Sequence, residues 1–200
     1  MARALGPSGK GVYSLLMLVP LLALKLGSLG IEAANVYFTG SRKYNVVDVI
    51  ANSFLVTIFW GFVFFQAGAF LFSPSLVPRL IIAEHIGPFS RWFFLGAVPL
   101  FMLFTLLLNV VLGKERITLF NIMGIFRSGL QLLTMVVFVV LLRKGISGAL
   151  LSYSLSVAGA TLLLVLSMNR YFGPLSLSLN RPLLRDSLAY GMKCCPGTII

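Results

Sequence analysis

The sequence predicts an all-α polytopic membrane protein of about five transmembrane helices, and three observations predict it. Hydrophobic residues make up 58% of the 200 and charged residues only 10%, against about 25% charged in an ordinary soluble domain. Mean hydropathy is +0.99, and the apolar residues gather in runs of the ~20 residues needed to cross a bilayer. The alternating ten-residue segments of a membrane β-barrel do not occur, so helices must satisfy the spanning backbone's own hydrogen bonds.

The runs form a single membrane domain over 1–200. The first span is placed at 12–38, where a leucine-rich stretch begins behind Gly6-Pro7-Ser8-Gly9-Lys10-Gly11 and ends at Gly40-Ser41-Arg42-Lys43. The second is placed at 46–72, the third at 92–112, the fourth at 117–142 and the fifth at 146–168. At about 1.5 Å per residue each exceeds a hydrocarbon core of about 30 Å. Ser73 to Arg91, with Pro74, Pro78 and Pro88, is the longest link; Gly113-Lys114-Glu115-Arg116 and Arg143-Lys144-Gly145 are tight turns. Residues 169–200 read as a basic surface loop, broken by Pro174 and Pro182, with a further helix starting at Asp186 to Met192. Neither end reads as a designed terminus, and a chain that is part of a longer protein is the expectation.

Sixteen Lys and Arg face five Asp and Glu, a net charge of +11. With the turn after the first span inside, eight loop cations lie on that side and six on the other, a weak preference under the positive-inside rule. The cations are dispersed along loops, which argues against nucleic acid and for anionic lipids or an anionic substrate.

The opening glycines invite comparison with a phosphate-binding loop, which needs G-x-x-x-x-G-K-[ST] so that four residues curl around the phosphates. Only Pro7 and Ser8 separate Gly6 from Gly9, and Gly11 rather than a hydroxyl follows Lys10. The segment therefore reads as a short, flexible, basic loop rather than a phosphate cradle. Catalysis finds no constellation either. His85 is the lone histidine, Cys194 and Cys195 are adjacent, and no carboxylate cluster exists to hold a metal. No cofactor and no metal site are expected, and the chain is not read as an enzyme.

Two cations fall inside spans. Lys25 sits midway along the first, where a lysine costs about 2.5–3.5 kcal/mol, offset by the eight leucines between Leu15 and Leu29. Ser14, Lys25, Ser28, Glu32 and Asn35 share one face of a continuous helix. In the fourth span Asn121, Gly124, Arg127, Ser128, Gln131 and Thr134 fall within an arc of about 140°. Gln66 lies deep within the second span. Such stripes belong against other helices or a water-filled cavity. Snorkelling to the headgroups is the competing reading for Lys25 and Arg127, and pairing with Glu32, two turns away and long for a direct contact without a bend, is another for Lys25. Helix-packing glue is the competing reading for Asn35 and Asn121.

Residues 2–38 also resemble a known family. Ala2-Arg3-Ala4-Leu5-Gly6-Pro7, then Gly9-Lys10-Gly11-Val12-Tyr13, then Leu29-Gly30-Ile31-Glu32-Ala33-Ala34-Asn35-Val36-Tyr37-Phe38 are similar to the second transmembrane segment of polysaccharide and lipid-linked oligosaccharide flippases. These belong to the multidrug/oligosaccharidyl-lipid/polysaccharide exporter superfamily. The "GISGALLSYSLS" opening of the fifth span adds to the resemblance. It implies an N-terminal-lobe fragment of a two-lobed, alternating-access transporter of about 12–14 helices in a cytoplasmic (inner) membrane. It also implies a hinge at Gly6, Pro7, Gly9 and Gly11 where two helix ends pack closely.

The substrate so implied is a lipid-linked oligosaccharide, whose pyrophosphate calls for cations in the cavity. From the stripes, Lys25 and Arg127 are the expected phosphate contacts, with Gln131, Asn35 and Asn121 as sugar contacts. The partners expected are membrane lipids, that substrate, and a C-terminal lobe or partner chain, without which this piece is expected to be inactive. A multidrug extruder, or an assembly subunit with no cavity, are the alternatives.

Overall fold

The computed structural model describes residues 2–71, 88–172 and 180–194. The chain folds as seven helices over these residues: α1 Ala2–Ser28, α2 Ile31–Gly40, α3 Val46–Leu71, α4 Pro88–Gly113, α5 Ile117–Met135, α6 Gly145–Phe172 and α7 Arg181–Cys194. Past Met135, α5 widens into a π-helical stretch, Val136–Leu141, whose i→i+5 pattern continues in the Leu142 N–H donating to the Val137 carbonyl. Five helices are long and apolar enough to cross a membrane: this is an all-α, multi-pass membrane protein.

The five predicted spans are all present, with corrections at their ends. The first is not one helix over 12–38. Leu29 (φ 44°) and Gly30 (φ 80°) both adopt the left-handed conformation, which ends α1 at Ser28 and redirects the chain into α2. Lys25 is consequently in the last turn of α1 rather than midway along a span, and Asn35 no longer continues its face. The helix of the third span, α4, starts at Pro88, four residues inside the predicted link, because proline lacks only an N–H that a first turn leaves unpaired anyway. The same reason moves the start of the last helix from Asp186 to Arg181. Pro182 lies in its first turn, and the Leu183 N–H donates to Asn180 Oδ1 at 3.2 Å as a side-chain cap. That helix runs on through Cys194. The predicted loop from 169 is helical to Phe172. Pro74, Pro78, Pro174 and His85 lie outside the described residues.

The hinge narrows to a single residue. Gly6 (φ 70°, ψ 171°) separates a short helical stretch from the rest of α1, while Gly9 and Gly11 are helical. A Cβ on Gly6 or Gly11 would meet nothing within 4 Å, so Gly6 is needed for its backbone conformation, not for close packing.

The bundle is built around α4, which packs on α1, α2, α3, α5 and α6. Its Leu106, Leu107, Val110 and Val111 are fully buried because apolar residues at these spacings occupy both sides of one helix face. Leu107, Val110 and Val111 join Phe38 from α2, Ile50 from α3, Leu164 and Met168 from α6 and Leu183 from α7 in the main core, and Leu106 packs with Leu24, Ile31, Val56 and Met102. The outward faces carry Leu22, Leu26, Phe59, Phe62, Ile125 and Leu132, a surface suited to lipid.

Candidate functional site

The fourth span is the least covered. Only 17% of it is buried, against 35% or more for the other four. Its inner face holds Met123, Thr134 and Met135, its outer face Ile122, Ile125, Phe126 and Leu133. The predicted polar stripe runs along the edge between the two. Thr134 is buried and donates to the Leu130 carbonyl at 2.8 Å; it also donates to the Ser152 carbonyl of α6 at 3.3 Å. Arg127 and Gln131 are half-buried, and Ser128 and Asn121 are exposed.

Arg127 sits near the middle of a 25-residue span, where an isolated cation is costly. Its guanidinium lies over two rings of α4, 5.3 Å from the Phe101 centroid and 5.7 Å from that of Phe104. One turn along α5, Gln131 Nε2 donates a long hydrogen bond of 3.5 Å to Tyr13 Oη of α1. The Tyr153 ring of α6 stands 6.2 Å from Phe101. Four helices thus meet in one polar and aromatic cluster. A guanidinium held against aromatic faces keeps its edge N–H groups available to a ligand.

The other predicted cation is placed differently. Lys25 Nζ lies 3.6 Å from Glu32 Oε2 across the break between α1 and α2, with side chains 66% and 21% exposed. Ser28 Oγ donates to the other Glu32 oxygen at 3.0 Å. Seven residues along a straight helix would separate the pair by about 10 Å; the left-handed turn at Leu29–Gly30 closes the gap. Lys25 therefore arrives already paired, and Arg127 has no carboxylate partner among the described residues.

Asn35 is buried and donates to Ser53 Oγ of α3 at 2.9 Å and to the Leu106 carbonyl of α4 at 3.2 Å. It ties three helices together, the glue reading of the two. Asn121 lies on the exposed edge two turns from Arg127. Gln66, expected deep within a span, is exposed near the end of α3. Arg127 and Gln131 thus belong to one cluster; Lys25 and Asn35 belong to separate local networks.

Four members of this neighbourhood escape sequence reasoning. Tyr13 and Tyr153 join the cluster from α1 and α6. Thr105 and Asn109 continue the Phe101 row of α4 at i+4 and i+8, and both are half-buried. Thr105 Oγ1 donates to the Phe101 carbonyl and Asn109 Nδ2 to the Thr105 carbonyl, each at 3.0 Å. A Thr-x-x-x-Asn step within an otherwise apolar run was the available signal.

A second polar centre lies outside the spans. Lys43 Nζ and Tyr44 Oη both donate to Asp186 Oδ2 of α7, each at 2.7 Å. The Lys43 hydrogen bond, and after it that of Tyr44, holds the Asp186 carboxyl below its usual range; the bond to Asp186 in turn raises Lys43. Among the described residues no three His, Cys, Asp or Glu side chains gather as a metal site would require.

Chemically, the Arg127 cluster can hold an anion: a fixed guanidinium with hydroxyl and amide groups beside it, in a low-dielectric setting that strengthens each charged hydrogen bond. Comparison with protein-family models, curated proteins and solved structures returned no match.

Proposed function

We propose that the chain forms one lobe of an alternating-access transporter that flips a lipid-linked oligosaccharide across the cytoplasmic membrane, with Arg127 binding the anionic phosphate region. The observation that carries this reading is the position of Arg127 on the polar edge of the least covered span, away from any carboxylate partner among the described residues. Gln131 and Tyr13 beside it offer the neutral hydrogen-bonding groups a sugar needs. Asn121 and Ser128 extend the same edge. A second lobe, from this chain or a partner, would face that edge and complete the cavity.

A cation-coupled drug extruder is less well supported. Glu32, beside the first span, is engaged by both Lys25 and Ser28, and Asp48, in the first turn of the second span, accepts a hydrogen bond from Asn180 Nδ2 at 3.2 Å, so each of these carboxylates is already engaged.

Binding to the detergent-purified protein tests the proposal, with a fluorescent polyprenyl-pyrophosphate disaccharide as probe and the uncharged polyprenyl glycoside as control. Arg127→Ala is expected to weaken the pyrophosphate probe by roughly tenfold to a hundredfold, matching the ~1.5–3 kcal/mol of a hydrogen bond to a charged group. Arg127→Lys should fall between, because a point charge replaces a planar fork. Equal affinity of wild type and Arg127→Ala, or preference for the uncharged probe, would overturn the assignment.

A further inference from the structure

The last helix carries a separate feature. At 14 residues α7 is about 21 Å long, too short to cross a bilayer. Its row Leu183, Ser187 and Gly191 is buried in the bundle. The opposite side exposes Arg181 and Arg185, one turn apart, and Leu184 and Leu188 lie half-buried at the boundary. A groove of about 420 Å³ opens there, walled by Ile31 of α2, Val56, Phe59 and Trp60 of α3, and the two leucines. That volume lies in the range of small-molecule sites, about 300–1,000 Å³.

A second concavity over Arg181, Arg185 and Met192 shares Leu184 and Leu188 with this groove. The apolar slot and the cationic shelf therefore adjoin along these two leucines. Asp186, the acid of α7, points to Lys43 and Tyr44 instead, and neither arginine forms an ion pair among the described residues. One wall, Phe59, is 64% exposed on the lipid-suited face of α3. Short amphipathic helices of this pattern lie in the membrane interface with cations at headgroup level.

We propose that this groove holds an anionic phospholipid, with one acyl chain against Trp60 and Leu188 and the phosphate at Arg181 and Arg185. The charge decides the occupant: a neutral lipid, or an apolar protein segment, leaves Arg181 and Arg185 without an ion-pair partner among the described residues, and the one carboxylate that acts on Arg185, Asp186, is hydrogen-bonded to Lys43 and Tyr44. The site is distinct from the Arg127 cluster and does not depend on what that cluster transports.

Trp60 and Trp92 are the two tryptophans of the chain, so Trp92→Phe leaves Trp60 as a reporter. The full chain with Trp92→Phe is titrated in detergent with phosphatidylglycerol or phosphatidylcholine bearing dibrominated acyl chains, which quench tryptophan on contact. Phosphatidylglycerol is expected to quench Trp60 at roughly tenfold lower mole fraction, consistent with two cations acting on an anionic headgroup. In the surface variant Arg181→Gln/Arg185→Gln the two lipids should quench alike. Equal quenching in the parent, no quenching by either lipid, or a preference that survives the double substitution would each overturn the proposal. The parent comparison decides by itself if the double variant does not fold.

Discussion

Arg127 and Lys25 look equivalent in the sequence, two cations on polar stripes within apolar runs, and the fold makes them different. Lys25 answers Glu32 across a backbone break, and its side chain is 66% exposed. Removing the two partners should therefore have unequal effects. Glu32→Ala leaves an uncompensated ammonium in the last turn of α1, at a cost that stays below the ~2.5–3.5 kcal/mol of a lysine at the centre of a span. Lys25→Ala leaves Glu32 with the Ser28 hydroxyl and should cost about 1 kcal/mol or less. Thermal unfolding in detergent should show the larger loss for Glu32→Ala, and the double variant should recover most of it. Equal losses would mean that Lys25 reaches water and that the pair contributes little. The polar stripe on α5 was legible because it needs only helical periodicity. The Gln131–Tyr13 bond joins residues 118 apart and could not be read from spacing; the Lys25–Glu32 pair was readable only as a contact too long without a bend, and the left-handed turn supplies that bend.

At the scale of elements, long apolar runs placed four of the five spans within about four residues, and the first, expected to run on to 38, ends at Ser28. Their interruptions were not visible. "LKLGSLGIEAAN" reads as continuous helix because each of its two glycines is tolerated there at about 1 kcal/mol; what breaks it is contact with α7. A Cβ on Gly30 would lie 2.5 Å from the Gly191 carbonyl oxygen, so the two backbones touch where side chains would keep them apart. Gly30→Ala combines that clash with a left-handed alanine, which alone costs roughly 1–2 kcal/mol. It should release α7, seen as faster amide exchange over 181–194 with little change in α4; unchanged exchange would contradict the close-contact account.

The polar anchor of α7 is pH-dependent in a defined sense. Asp186 titrates below the usual carboxylate range in the fold, so its contribution is present above that range and lost as pH falls through the lowered value. Lys43 is raised, so its contribution is present below the usual lysine value and lost as pH rises through the raised one. Spin labels at 42 and 189, both exposed, should keep one sharp distance between about pH 5 and 9 and broaden below about pH 4. Asp186→Asn should broaden it at neutral pH. A sharp distance in that variant would mean that packing alone holds α7.

For the whole molecule, the central asymmetry is that α4 is enclosed while α5 is open. In a bilayer the open surface of α5 has two parts with different requirements: the apolar arc of Ile122, Phe126 and Leu133 suits lipid, whereas the edge of Asn121, Ser128 and Arg127 needs water or polar partners. The transport reading rests on that edge lining an aqueous cavity. The most direct measurement is thiol accessibility in native membranes, with Cys194 and Cys195 first replaced by serine and single cysteines placed at 121, 128, 122, 126 and 133. The account predicts that a membrane-impermeant, water-soluble thiol reagent modifies positions 121 and 128 at least tenfold faster than 122, 126 and 133, and that the pyrophosphate-linked probe slows the first two. Uniformly slow reaction at all five positions would mean that lipid or another protein covers α5 entirely, and would contradict the cavity.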